Sequence, residues 1–413
     1  MKSLILLAAG KGERLRPLTE TRPKPLMPVV DETILCRHLR LATESYSPDE
    51  IIVVASYMID DIRRHVRDCG FEATIVNQEG EKGTGDAINK ALASSNGDEF
   101  LIIYSDIYID ARVYESMASS ETPSILAAPV DKPWEYGVLE TLEDTYMKRI
   151  VEKPPRGREP SNLVFAGMIK LGREHASYFK KIPLSPRNEY EATDGLTMLA
   201  QDYPVRIVKV ADKGQWLDIG RPWDLLEANR LALASKTGQT RVQGEVHSTA
   251  VLEGPVIVEE GAVIKPFTVL EGPAYIGRGA VVGPHAYIRG WGVLGDGSKV
   301  GHSTEFKASI LFEGAKAPHL NYIGDSIVGE HVNLGAGTVT ANLRFDKKTI
   351  KMSIKNVRVD TGRSKLGAVI GGYAQTGINV SIYPGVKIGS HALVYPGCVV
   401  KRDVEKNGVV KCS

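Results

Sequence analysis

Two hydrophobic rhythms divide the chain. Up to about residue 230, short apolar runs at 4–7, 51–55, 74–76 and 100–104 alternate with amphipathic stretches such as 59–67 and 86–93. Short apolar runs bounded by turn residues read as buried strands, and stretches of 3.6-residue period read as helices. Their alternation predicts a βαβ-type, mostly parallel sheet covered on both faces. Ligands of such sheets bind beyond the carboxyl ends of the strands, so chemistry is expected just after Leu7 and just after Tyr104.

From about residue 242 the rhythm changes. Val246, Leu252, Val258, Ile264, Leu270, Ile276, Val282, Ile288, Leu294, Val300, Phe306 and Phe312 stand six apart, and a residue that is usually small (Ala250, Ala262, Thr268, Ala274, Ala280) follows four positions later. The register returns at Ile370, Thr376, Ile382, Ile388, Val394 and Val400. A period of six fits neither a helix nor a hairpin sheet; it is the hexapeptide signature of a parallel β-helix, three hexads to a triangular coil. The chain's 41 glycines are a surplus that suits the corners of such coils. Two segments, 313–322 and 342–363, break the period and are expected as loops on a binding face. The predicted organisation is an α/β domain over 1–230, a linker over 231–241 and a β-helix over 242–413.

Charge and cysteine content narrow the function. Lys plus Arg (51) and Asp plus Glu (50) nearly cancel, so there is no basic field for nucleic acid. No apolar run approaches a membrane span. The N-terminus has a signal-like Lys followed by apolar residues, but that run is short and leads straight into GKGERLRP, which predicts a buried first strand. Cys36, Cys69, Cys398 and Cys412 form no CxxC pair, so neither a disulfide framework nor a zinc site is expected, and a reducing cytoplasm suits them, with Cys412 incidental.

After the first strand comes Ala8-Ala9-Gly10-Lys11-Gly12-Glu13-Arg14, then Arg22-Pro23-Lys24-Pro25. Backbone N–H groups of a Gly-rich turn can approach phosphate oxygens, and Arg14 and Lys24 carry the charge that a triphosphate needs. The turn lacks GK[ST], so it is no P-loop, and it lacks the third glycine of a dinucleotide fingerprint. Gln78, Lys82-Gly83-Thr84-Gly85, Tyr104-Ser105-Asp106, Tyr136-Gly137, Glu152-Lys153-Pro154 and Trp216-Leu217-Asp218-Ile219-Gly220 follow in order. As a set they resemble the sugar-1-phosphate nucleotidylyltransferases, which have a Rossmann-like fold. The resemblance implies that Ala9, Gly10, Gly12, Gln78, Gly83 and Thr84 bind the nucleotide, with Arg14 and Lys24 catalytic. It further implies that Gly137, Glu152, Lys153 and Gly167 hold the sugar phosphate, and that Asp106 and Asp218 hold Mg²⁺ (or Mn²⁺). Glu13 departs from the family's usual Thr, and a carboxylate there repels phosphate unless it turns away. The EKP and WLDIG forms look more like the branch that uses dTTP or UTP with glucose 1-phosphate.

In the second half, Ala317-Pro318-His319-Leu320-Asn321-Tyr322-Ile323-Gly324-Asp325 and Asn333-Leu334-Gly335-Ala336-Gly337-Thr338 resemble the acetyltransferase domain of the bifunctional amino-sugar-1-phosphate acetyltransferase/nucleotidylyltransferases. The resemblance implies a left-handed β-helix, a homotrimer and nucleotide-sugar synthesis of the UDP-N-acetylglucosamine type. His319 would be the general base that deprotonates the amine before it attacks acetyl-CoA. Arg289, Lys307, Tyr322, Asn333, Asn342 and Lys348 would hold glucosamine or galactosamine 1-phosphate, with Lys351 a weaker candidate. Ala336, Gly371 and Gly372 would line the acetyl-CoA path. Asn321 replaces the family's usual Ser. The alternative is a nucleotidylyltransferase whose β-helix serves only trimerisation or regulation; a non-catalytic subunit is opposed by the intact set Arg14, Lys24, Asp106 and Asp218. The partners expected are small molecules only.

Overall fold

The computed structural model describes every residue except Glu81, Thr237, Gln239 and Ser413. The chain divides into two compact units, one of Met1–Lys11, Pro23–Met27 and Thr33–Asp218, the other of Gly12–Arg22, Pro28–Glu32 and Ile219–Ser413. The helix Pro222–Lys236 runs into the expected linker 231–241, and its side chains hold the Pro28–Glu32 segment: Val30 N donates to Asn229 Oδ1 at 2.7 Å, and Lys236 Nζ pairs with Asp31 at 2.7 Å. Thr237 and Gln239, also within the expected linker, lie outside the described residues.

In the first unit, strand β1 (Lys2–Ala8) lies between Glu50–Ala55 and Glu99–Tyr104, parallel to both, with Thr74–Asn77 beyond. Leu4, Ile5 and Leu6 are fully buried, as the strand reading of the N-terminus requires. The sheet continues through Leu163–Gly172, antiparallel to its neighbours, then Ser124–Pro129, Val205–Lys209 and the hairpin Tyr146–Glu152/Gly137–Leu142. It is therefore parallel on one side and mixed on the other. Helices α1 (Ile34–Tyr46), α2 (Ile59–Asp68) and α3 (Thr84–Ser94) bury apolar stripes in its two cores.

The second unit is a parallel β-helix whose three faces, among the described residues, are sheets of eight, nine and eight strands. Inward aliphatic residues stack coil on coil eighteen positions apart, Val258 on Ile276 and Ile276 on Leu294, and are buried. The next step is seventeen: Leu294 stacks on Leu311, so Leu311 and not Phe312 continues the inward row. The cause is a corner that is one residue short, between Lys307 and Ile310, where Ala308 takes a left-handed backbone (φ 44°). Phe312 is still buried, with the Arg22 guanidinium 5.2 Å from its ring centroid. Residues 313–322 are consequently no inserted loop. Lys316–His319 is a strand of the coil, paired with Lys299–His302. The second interruption is a true arm, with a hairpin Lys351–Ile354/Val357–Asp360.

The cysteines need correction. Cys36 is paired with Cys69, and Cys398 with Cys412, so Cys412 is not incidental. Partners 33 and 14 residues apart are joined by tertiary packing, which motif spacing does not register. Among the described residues, no helix is long and apolar enough to cross a membrane.

Candidate functional sites

A cavity of about 250 Å³ opens at the carboxyl end of β1, lined by Ala8, Ala9, Gly10, Lys24, Gln78, Gly83, Thr84, Tyr104 and Asp106 among others. Burying Lys24 (7% exposed) costs less because its Nζ lies 2.8 Å from the Asp106 carboxylate. Asp218 ends the strand Trp216–Asp218 and lies opposite Ile107, beside Asp106, because that strand pairs antiparallel with Ile107–Ile109. Two carboxylates, one in the turn after Glu99–Tyr104 and one at the end of Trp216–Asp218, are the oxygen donors a hard divalent ion takes. The residues fit Mg²⁺.

Buried Gln78 donates from Nε2 to Gly83 O (2.8 Å) and to Asp86 (3.1 Å). With both amide hydrogens engaged, its carbonyl is the end left to accept from a ligand. Gly83 has φ 91°, and a Cβ there would come within 2.5 Å of Tyr190 O, so no other residue fits. Burial pushes the Tyr104 phenol well above its ordinary range, keeping it neutral.

Gly137 and Glu152 are cross-strand partners, and a Cβ on Gly137 would meet Glu152 Oε2 at 2.9 Å. Lys153 follows in a left-handed conformation (φ 44°), its Nζ 3.8 Å from Glu152. Gly167 (φ 79°) lies in the irregular stretch of Leu163–Gly172, where a Cβ would press on Ile107 and Tyr104. Sequence reasoning missed Arg187, which clamps Glu152 (3.2 Å) and Glu191 (2.8 Å). It also missed Asp194, whose pKa is raised by burial and by Glu191 and Glu152. No motif surrounds these residues, and only the fold gathers them.

Gly12 and Arg14 do not line the cavity; their segment, Gly12–Arg22, has its contacts within the second unit. Gly12 (φ 64°) accepts from Thr19 Oγ1 at 2.9 Å, and Arg14 is exposed. Glu13 pairs with Lys355 Nζ at 2.7 Å, which answers the repulsion expected of it. Ser390 N donates to Glu20 at 2.8 Å, and Ser390 Oγ to Pro17 O at 3.2 Å. Arg22 is paired with Glu313 and lies 3.3 Å from buried Glu330.

On the β-helix, Arg289, Lys307 and Gly324 are successive register partners at the end of one face. Arg289 pairs with Glu305 (2.9 Å), and Lys307 with buried Asp325 (2.9 Å). Asn342 Nδ2 donates to Asp325 (2.6 Å) and Tyr322 Oη (3.1 Å). A Cβ on Gly324 would stand 2.6 Å from Tyr322 Oη and 2.7 Å from Asn342 Nδ2, so the glycine makes that approach possible. The Tyr322 phenol is pushed up by burial and then by Glu305 and Asp325, so it is a donor at neutral pH.

His319 stands at the corner that leads into Tyr322–Gly324, exposed, in register with His302. Beneath it, Asn321 (3% exposed) accepts from His319 N at 3.1 Å and donates to Gly335 O (2.8 Å) and Thr338 O (3.3 Å). Ala336 lies in the same corner one coil on, where Gly337 N donates to His319 O at 3.1 Å. Asn333, on the face before that corner, is exposed, as is Lys348 on the arm. Gly371 and Gly372 are at a different corner, against Ser390 and Glu330, and one chain does not bring them to His319.

The family model described as nucleotidyl transferase matches residues 3–235, and one described as bacterial transferase hexapeptide (six repeats) matches 255–290 and 367–402. A bifunctional sugar-1-phosphate nucleotidylyltransferase/acetyltransferase of Sulfurisphaera tokodaii is 41% identical over 406 residues, covering 98% of each chain. The bifunctional protein GlmU of Methanocaldococcus jannaschii is 40% identical over 410 residues, covering 98% of this chain and 96% of that one. A crystal structure of UDP-glucose pyrophosphorylase complexed with UDP-glucose superposes with a TM-score of 0.50 at 23% identity, over 57% of this chain and 99% of that one, a likeness of fold alone.

Proposed function

Since this chain belongs to the family of bifunctional sugar-1-phosphate nucleotidylyltransferase/acetyltransferases, we propose the substrates and residues that serve its two reactions. The first unit joins UTP or dTTP to glucose 1-phosphate or N-acetylglucosamine 1-phosphate and releases pyrophosphate. The β-helix transfers acetyl from acetyl-CoA to glucosamine 1-phosphate or galactosamine 1-phosphate.

The observation that carries the first reading is Lys24 on Asp106, beside Asp218, in the cavity of the glycine turn. A sugar phosphate oxygen attacks the α-phosphorus in line with departing pyrophosphate, so the protein mainly positions two anions and cancels charge. Mg²⁺ or Mn²⁺, held by Asp106 and Asp218, supplies positive charge to phosphate oxygens when bound. Lys24 adds to it. The free carbonyl of Gln78 accepts the imide N–H of uracil or thymine, and Gly83 leaves room for the ring. Gly137, Glu152, Lys153 and Gly167 receive the sugar.

In the β-helix, Arg289, Lys307, Tyr322 and Lys348 bind the phosphate, and Asn333 and Asn342 orient amine and hydroxyls. His319 takes the ammonium proton, leaving the amine free to attack the thioester carbon. Gly371 and Gly372, at their own corner, serve a neighbouring chain's His319 in a closed homotrimer.

Pyrophosphate release with each pairing of UTP or dTTP and sugar 1-phosphate tests the first half, with Lys24→Met as control. Free CoA thiol with each amino sugar, against His319→Ala, tests the second. Release of either product that survives its control variant would overturn that residue's role.

A further inference from the structure

Neither reaction uses the side chains that meet where α1 and α2 adjoin. Cys36 is in the first turn of α1, His65 in the last turn of α2, and Cys69 is that helix's C-cap. Cys36 Sγ, His65 Nε2 and Cys69 Sγ all lie within 4.8 Å of one another, and each side chain is half-buried. His65 Nε2 is 3.2 Å from Cys36 Sγ and 2.8 Å from Thr33 Oγ1. The two sulfurs are paired, with Cα atoms 5.9 Å apart.

We propose that the reduced chain binds one thiophilic divalent ion of the zinc class at Cys36, His65 and Cys69, and that the Cys36–Cys69 bond is the closed form of this site. Two sulfurs and an imidazole nitrogen are the donor set of a borderline-soft ion, unlike the carboxylates of the nucleotide cavity. Metal–ligand lengths of about 2.3 Å to sulfur and about 2.0 Å to nitrogen put tetrahedral donors roughly 3.5–3.8 Å apart, a spacing these three atoms reach by small side-chain rotations. His65 and Cys69, four apart at one helix end, face the same way, and Cys36 approaches from the other helix, so the ion would tie α1 to α2. Water would complete the tetrahedron at the fourth position.

Opening the site is a balanced exchange. A dithiol gives two electrons and two protons to the Cys36–Cys69 bond and becomes a disulfide itself. The ion then displaces the two thiol protons.

The test uses the whole chain, reduced, freed of reductant without air and kept in excess Mg²⁺, then titrated with Co²⁺. Intense sulfur-to-cobalt absorption should grow to one equivalent, be displaced by Zn²⁺ and be lost in Cys36→Ser and in Cys69→Ser. It should weaken in His65→Ala and persist in Cys398→Ser. The oxidised chain should show none. Circular dichroism checks that each variant is folded, and a count of thiols in denaturant checks the reduction. The proposal is overturned if the reduced chain gives no such absorption, if Cys36→Ser keeps it, or if reductant fails to free the two thiols.

Discussion

Replacing Asn321 with Ala removes three hydrogen bonds at once: from His319 N, to Gly335 O and to Thr338 O. The site is 3% exposed, so water cannot take over all three. At about 0.5–1.5 kcal/mol for each bond, the loss is roughly 2–4 kcal/mol, with the unpaired groups at the upper end. For a domain of this size, that lowers the midpoint of the β-helix's thermal transition by on the order of 10 °C. The sharper consequence is kinetic. Asn321 fixes the corner that presents His319, and a shift of about 1 Å in a catalytic group costs up to about a hundredfold in rate. The kcat for CoA thiol release should therefore fall at least tenfold, while KM for the amino-sugar phosphate holds, because Arg289, Lys307 and Asn342 sit at the far end of that face. Pyrophosphate release should be unaffected. Asn321→Ser keeps a short acceptor for His319 N and should recover most of the rate. An Ala variant that melts lower yet acetylates at the native kcat would refute the link from Asn321 to His319.

Three further perturbations follow from the geometry. Gly83→Ala forces a Cβ to within 2.5 Å of Tyr190 O at φ 91°, so KM for the nucleoside triphosphate should rise at least tenfold in steady-state assays while acetyl transfer is unchanged. His38 is wholly buried and hydrogen-bonded to Tyr114 (2.6 Å); burial, then Arg37, holds its pKa at about 3. The unfolded chain takes up this proton near pH 6.5 and the native chain only near pH 3, so stability should fall as pH drops between them, by up to about 1.4 kcal/mol per unit from this group. Urea midpoints at pH 7 and pH 5 should differ less in His38→Gln. Arg22→Ala leaves Glu330 (side chain 4% exposed) without its cation and should cost about 3–5 kcal/mol by denaturant unfolding, with Arg22→Met/Glu330→Gln recovering part of it.

What the sequence made legible was periodic or local. The buried strand before Gly10 and the strand that delivers Asp106 could be read because their signals lie within ten residues. The Arg22 contact with Glu313 could not, since its partners are 291 residues apart and no local pattern around Arg22 points to Glu313. The most consequential miss was a single position. Leu311 and Phe312 are both apolar, so the hexad count passes through either, and only the stacking of Leu294 on Leu311 shows that the corner after Lys307 is short. The next coil repeats the contraction, with Val328 on Leu311 and Asp325 at its corner in a left-handed conformation (φ 47°). There the Asp325 carboxylate reaches both Lys307 and Asn342. The irregularity that a repeat-based reading treats as noise thus supplies the carboxylate that aligns two candidate substrate-binding side chains. Restoring a full corner by inserting one residue after Ala308 should leave the helix folded and abolish acetyl transfer, because Lys307 and Asp325 would no longer face each other.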